Sequence, residues 1–297
     1  MIRRLFDSPY LLLALAALFW AGNFVVARAV HGHVPPFGLV FWRWLGAFCI
    51  IMPFAWKPLH DDWPVLKRHW FIVLSLSLVG VASFNALVYL GLQSTTALNA
   101  LLLQSALPLL IVAFGWMLFR DAVTLVQAIG IVLSLAGATA IVAGGDLATL
   151  ASLGLNMGDV LVFAAVGLWA IYSVLLRKRP ALHPLSFTAV TIAVSVVVLA
   201  PLYGWETLSG KPMHLDWITA VTVAYVAVFP SILAYTFWSR GVDLLGANRA
   251  GLFIHLMPLF GSVMAIAFLG ETLHLYHLAG AALIVLGLVL ATRRGRA

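Results

Sequence analysis

Residues 97–121 read ALNALLLQSALPLLIVAFGWMLFRD, and residues 247–271 read ANRAGLFIHLMPLFGSVMAIAFLGE. The first carries no charge from Ala97 to Phe119, and the second none from Ala250 to Gly270. An uncharged apolar run of roughly 18 residues or more predicts a transmembrane helix, because about 20 residues rising 1.5 Å each cross the hydrocarbon core. The two stretches also answer each other 150 positions apart. Ala97, Ala100, Leu102, Pro108 and Leu109 recur as Ala247, Ala250, Leu252, Pro258 and Leu259, and Asp121 falls opposite Glu271. Membrane insertion and internal duplication are both legible in this pair.

The rest of the chain follows suit. Of 297 residues, 63% are hydrophobic and 9% charged, and the mean hydropathy is +1.06. A soluble domain is about a quarter charged, so a soluble enzyme, a disordered chain and a coiled coil are excluded. A transmembrane barrel would alternate polar and apolar residues, which these unbroken apolar stretches do not. Windows of about 19 residues predict ten helices, near 9–30, 35–56, 70–91, 96–119, 124–144, 157–177, 184–204, 217–240, 247–269 and 273–292. Helix is the state that satisfies backbone polar groups in lipid. Arg3 and Arg4 precede the first run, which is long enough to be a retained span rather than a cleaved signal. A single cysteine, Cys49, permits neither an internal disulfide nor a thiolate zinc site. No metal or cofactor is expected.

Charge placement predicts orientation. With the N-terminus cytoplasmic, 14 of the 17 Lys and Arg fall on the inner side, Arg28 and Lys211 fall outside, and Arg43 remains within the second span. That asymmetry is the positive-inside signature, and it places both termini in the cytoplasm. The pI near 9.9 is then a topology signal answered by anionic lipid head groups. With no basic domain outside the membrane, nucleic acid is not an expected partner.

The duplication extends over the whole chain. Gly91, Gly130 and Gly137 recur at an offset of 150 as Gly241, Gly280 and Gly287. Trp20, Ala21, Val25 and Arg28 recur at 149 as Trp169, Ala170, Val174 and Arg177, and Pro36 and Pro53 recur at 148 as Pro184 and Pro201. The predicted units are residues 1–145 and 146–297, with five spans each. Since five is odd, the second unit must enter the membrane from the opposite side. That makes an inverted repeat, the arrangement that alternating access uses.

On these repeats, on W-A-x-N at the end of the first span (Trp20, Ala21, Asn23), on Pro35, Pro36 and Arg43, and on Leu269, Gly270, Glu271 and Gly280, the chain resembles the drug/metabolite transporter superfamily. It is similar there to the ten-helix EamA-type exporters of bacterial inner membranes, over about residues 9–292. The first unit departs from the pattern, with Arg120-Asp121 where the second has Gly270-Glu271. The resemblance implies an all-α membrane protein of two inverted five-helix repeats. It also implies export of small metabolites, among them aromatic and other neutral amino acids.

Broken helices at matching places are the pointer to a transporter site. Pro108 and Pro258 form such a pair, and Gly80 and Pro230 another. A proline within a helix frees the carbonyl four residues earlier, here those of Gln104, Ile254 and Val226. At similar depth lie Trp20 and Asn23, Asn85 and Tyr89, Asn99 and Gln104, Trp169 and Tyr172, Tyr235 and Trp238, and His255. Each alone could be a hydrogen bond between helices. Together, on repeat-related helices, they are expected to line a substrate cavity. All ten carboxylates fall in loops, termini or span ends, which disfavours a permanently cationic cargo. Amides, indoles and phenols suit a small zwitterion with an apolar side chain, whose ammonium an aromatic face attracts. Arg43 could grip a carboxylate, cap carbonyls or snorkel outward between Trp42 and Trp44, and a structural role is preferred. His255 is expected to be neutral and hydrogen-bonded, leaving transport as facilitated diffusion by a monomer. Another neutral metabolite or drug is the alternative cargo. A membrane enzyme lacks its constellation of catalytic groups, and a channel lacks its filter rings.

Overall fold

The computed structural model describes residues 8–30, 33–95, 97–146, 148, 154, 156–214, 216–269 and 272–292. Among the described residues the chain is helical with no strand. The elements are α1 (Pro9–Ala29), α2 (Pro36–Arg68), α3 (Trp70–Gly91), α4 (Ala97–Gln104), α5 (Leu107–Phe119), α6 (Leu125–Val142), α7 (Met157–Leu175), α8 (Pro184–Leu208), α9 (Trp217–Leu245), α10 (Ala247–Gly251), α11 (Leu256–Leu269) and α12 (Leu275–Thr292). Eight helical runs among them have the length and hydropathy to cross a membrane, α4 and α5 counting as one from Asn99 to Phe119, and Pro9–Asn23 adds a shorter apolar stretch. The L-G-E turn loses Gly270 and Glu271 to the residues outside the description.

Local chemistry sets the helix starts. Thr124 and Gln127 form a capping box ahead of α6, and Asn156 and Asp159 form one ahead of α7, each satisfying two orphan amides. Asp216 accepts the Thr219 amide at 2.8 Å ahead of α9, and the His33 ring nitrogen lies 2.6 Å from its other oxygen. The Thr219 amide first, and His33 beside it, hold the Asp216 carboxyl below the usual carboxylate range. Two caps cross between helices. Glu206, in the last turn of α8, accepts from the amides of Phe37 and Gly38 at the start of α2, at 3.2 and 2.7 Å. Asp62, near the end of α2, accepts from the His183 amide at the start of α8, at 2.8 Å.

Lys57, Asp61, Asp62 and Lys67 lie beyond the span predicted near 35–56, yet they are helical: α2 runs unbroken for 33 residues through Pro53, Pro58 and Pro64. At 1.5 Å per residue it is about 50 Å long, well beyond a hydrocarbon core of about 30 Å. Its charged last third is a helical extension outside the apolar layer.

Helices α6 and α12 pack backbone to backbone. A Cβ on Gly130 would lie 2.6 Å from the carbonyl oxygen of Gly287, and one on Gly137 would lie 2.6 Å from that of Gly280. Small residues permit this approach in lipid, where dispersion rather than water exclusion drives helix association. Elsewhere ion pairs tie helix ends together. Arg177, after α7, grips Asp121, after α5, with both oxygens engaged, and Arg179 pairs with Asp243 of α9 at 2.6 Å.

The breaks recur at the repeat spacing. A π-helical turn interrupts α3 at Ser77–Ser83, and another interrupts α9 at Val228–Leu233. Gly80 and Pro230 sit inside them. A turn at Ser105 and Ala106 separates α4 from α5, and a 3-10 turn, Leu252–His255, joins α10 to α11. Pro108 occupies the first turn of α5, where its missing N–H is no loss. Pro258 falls in the first turn of α11.

Candidate functional site

Residues flanking these breaks line one cavity. The first half of the chain contributes Trp20 and Asn23 from α1, Arg43 from α2, Phe84, Asn85, Val88 and Tyr89 from α3, Leu92 just after it, Gln104 from α4 and Leu107 from α5. The second half contributes Trp169 from α7, Tyr235 from α9, Ile254 from the 3-10 turn and Met257 from α11. None of these is acidic.

Seven of the eleven side chains expected at a site therefore meet here: Trp20, Asn23, Asn85, Tyr89, Gln104, Trp169 and Tyr235. The other four lie off the wall. Asn99 donates to Asp159 at 3.1 Å and to the Gly154 carbonyl, at the start of α7, where Thr95 also bonds Asp159. Tyr172 is buried behind the cavity, its ring filling the space where Gly80 lacks a side chain. Trp238 backs the wall, fully buried, with ring centroids 5.4 Å from Trp20 and 5.9 Å from Trp169. His255 is buried between Ser134 Oγ, 2.8 Å from Nδ1, and the Ser105 carbonyl, 3.0 Å from Nε2.

The apolar part of the wall is an aromatic cluster. The Trp20 and Trp169 rings meet edge to face at 5.2 Å, and Tyr235 stands edge-on to both, at 6.0 and 5.1 Å. Phe84 lies 4.8 Å from Trp169. Such edge contacts fix ring orientation as well as bury area.

Its polar part is a connected network. The Arg43 guanidinium donates through Nε to Ser231 Oγ at 2.5 Å, through Nη1 to Asn85 Oδ1 at 3.3 Å and through Nη2 to the Pro230 carbonyl at 3.1 Å. It also lies over the Trp44 ring, 5.0 Å from the centroid. Asn85 Nδ2 donates to Tyr235 Oη at 3.0 Å and to the Val81 carbonyl at 2.8 Å, while Tyr235 Oη donates to the Gly80 carbonyl at 3.3 Å. Trp20 Nε1 donates to the Pro230 carbonyl at 3.0 Å. The Val226 carbonyl, expected to be free, accepts the Ser231 hydroxyl at 2.6 Å. The π-turn thus spends that carbonyl internally and offers the one at Pro230 instead. Among the described residues, Asn23 Oδ1 and Tyr89 Oη have no partner.

Arg43, Phe84, Val88, Leu92, Leu107, Ile254 and Met257 are the wall residues whose side chains sequence reasoning left out of the site. The signal for Arg43 was present, since it is the one basic residue that the loops did not absorb.

A bundle of apolar helices around a pocket lined from both halves of the chain is the architecture of a membrane transporter. The sequence profile of the EamA-like transporter family matches residues 7–143 and again residues 156–293. The chain belongs to that family. It is similar to the "Uncharacterized transporter YyaM" of Bacillus subtilis, 26% identical over 95% of this chain and 93% of that one. It is also similar to an "Uncharacterized transporter" of Archaeoglobus fulgidus, 29% identical over 97% of this chain and 98% of that one. A "Probable amino-acid metabolite efflux pump" of Salmonella typhimurium is 27% identical over 92% of this chain and 91% of its own length. A crystal structure 19% identical in sequence shares the fold, with a TM-score of 0.78 over 96% of each chain.

Proposed function

We propose that this transporter exports small neutral metabolites, aromatic and other apolar amino acids foremost, by alternating access of the central cavity. The observation that carries the reading is that cavity: amides, indoles and phenols from both halves, gathered at helix breaks, with no acid on the wall. The name of the Salmonella relative points the same way. In this reading ten spans form two inverted repeats of five, residues 1–145 and 146–297, in a bacterial inner membrane with both termini cytoplasmic. The chain acts as a monomer. Another neutral metabolite or drug is the alternative cargo.

Contacts between repeat-equivalent residues support the inversion. Trp20 touches Trp169, Asn85 bonds Tyr235, and Ser105 bonds His255. Positions related by a two-fold axis meet only on that axis, whereas a translation would hold every such pair apart. The glycine crossing has the same form. Gly130 meets Gly287 and Gly137 meets Gly280, so each residue faces the equivalent of its partner's mate, as in an isologous contact. The crossed caps of α2 and α8 repeat it.

Among the described residues no acid lines the cavity, and His255 is bonded on both ring nitrogens away from it, so substrate moves down its own gradient. The test is counterflow. Proteoliposomes preloaded with unlabelled Phe, Trp, Met, Thr or Ala should accumulate the labelled amino acid transiently and saturably, for at least one of the five. An imposed pH gradient should leave the plateau unchanged. Background flux for all five refutes the amino-acid reading, and a plateau that follows the pH gradient refutes uncoupled transport.

A further inference from the structure

We propose that Arg43 is the carboxylate anchor of the cavity, so that the cargo is an apolar molecule bearing a carboxylate, with an amino group beside it. This rests on the reading of the cavity as the transport site.

Three observations carry it. First, Arg43 is 2% exposed, lies seven residues into α2 and lines the cavity, yet no ion pair among the described residues includes it. A guanidinium so far from water is costly unless a negative charge or a full set of acceptors answers it. Second, the acceptors among the described residues are incomplete. Of the five N–H groups of an arginine, Ser231 Oγ, Asn85 Oδ1 and the Pro230 carbonyl take three. Those three partners and the Trp44 ring hold the plane in place before any ligand arrives. The remaining N–H groups leave the terminal nitrogens able to meet a carboxylate, the anion whose fork matches this donor. Third, the same wall carries the complementary end. Asn23 Oδ1 and Tyr89 Oη are buried oxygens without partners among the described residues, and an ammonium supplies the donors both lack. The Trp20 and Trp169 rings line the same cavity and fit an apolar side chain.

The arrangement also excludes. A cationic amine with no acid would sit beside Arg43 with no counter-charge on the wall. An uncharged alcohol would leave the guanidinium unanswered, the kind of unpaired polar group that gives a binding site its selectivity.

Initial uptake of L-phenylalanine, L-phenylalaninol and phenethylamine by the full chain in proteoliposomes tests this. The wild type should move phenylalanine with a KM at least about tenfold below those of the other two, which have lost the carboxylate. Arg43→Gln should raise the phenylalanine KM by about ten- to a hundredfold and erase the preference over phenylalaninol, while Arg43→Lys keeps part of that preference. Wild-type protein that moves phenylalaninol or phenethylamine as well as phenylalanine overturns the anchor and leaves the transport reading standing. An Arg43→Gln variant that is monodisperse and has an unchanged KM also overturns it. If the variant does not fold, the wild-type comparison decides alone. Wild-type protein that moves none of the three overturns the anchor, and the amino-acid reading falls with it when counterflow of Trp, Met, Thr and Ala is also at background.

Discussion

Gly137→Leu is expected to yield no monodisperse protein. At the crossing of α6 and α12, the first added carbon would lie 2.6 Å from the Gly280 carbonyl oxygen and 2.9 Å from the Ile284 nitrogen. Both are backbone atoms of α12 and cannot rotate aside, so the helices must separate, and the Gly130–Gly287 contact goes with them. Overpacking a core by a few methylenes typically costs about 1–3 kcal/mol. Here the obstacle is backbone and two contact points open at once, so the loss should exceed that range and approach the whole stability of a typical domain, about 5–15 kcal/mol. Size-exclusion chromatography of a fluorescent fusion reads it directly. Gly167→Leu and Gly204→Leu are the controls: no atom lies within 4 Å of a Cβ at either position, and both should elute as the wild type does. A monodisperse, thermally unshifted Gly137→Leu protein would mean that the two helices are not in contact there.

Trp169→Ala is the second large effect. The ring is 3% exposed and touches Trp20, Phe84, Tyr172, Tyr235 and Trp238. Truncating a buried tryptophan to alanine costs about 3–5 kcal/mol through lost contacts and the cavity left behind. It should also take the floor from the pocket, since four of those five rings come from other helices and lean on this one. A thermal melt in detergent should fall by several degrees, and counterflow should fall to background even in the fraction that remains folded. Trp217, which is 80% exposed, supplies the contrast. Trp217→Ala should change neither measurement beyond the small effects expected of exposed positions.

Periodicity was not needed to find the apolar runs, because lipid imposes length and hydropathy directly, and the described helices fall where those runs lie. The end of α2 was missed for a physical reason. Lys57, Asp61 and Asp62 mark where the apolar layer stops, and a helix does not have to stop there. Gly80 and Pro230 marked the places where α3 and α9 depart from α-helical bonding, yet nothing in a glycine or a proline foretold a π-turn or the Ser231 hydroxyl that takes the Val226 carbonyl. Within the site, Trp20, Asn23 and Asn85 were legible from depth and residue type. His255 was grouped with them by depth, but the 3-10 turn that carries it changes the angular step per residue and aims the ring at Ser134 and Ser105. Asn99 and Tyr89 were grouped with the site in the same way. Asn99 is spent on Asp159, while Tyr89 reaches the cavity. Arg43 shows the limit of reading one residue at a time. Its role depends on whether an acid lies near it in space, and no spacing along the chain reports that.

In the proposed transport cycle one pocket between the two halves opens to each side of the membrane in turn and holds the cargo while it does so. Val88 lines that pocket at 6% exposure, and the exposed Cys49 is the chain's one native thiol. In a Cys49→Ser background, a thiol introduced by Val88→Cys should react with a membrane-impermeant maleimide in both right-side-out and inside-out vesicles. Saturating phenylalanine should slow the reaction from both sides. Labelling confined to one side under every condition, or labelling indifferent to substrate, would contradict the account.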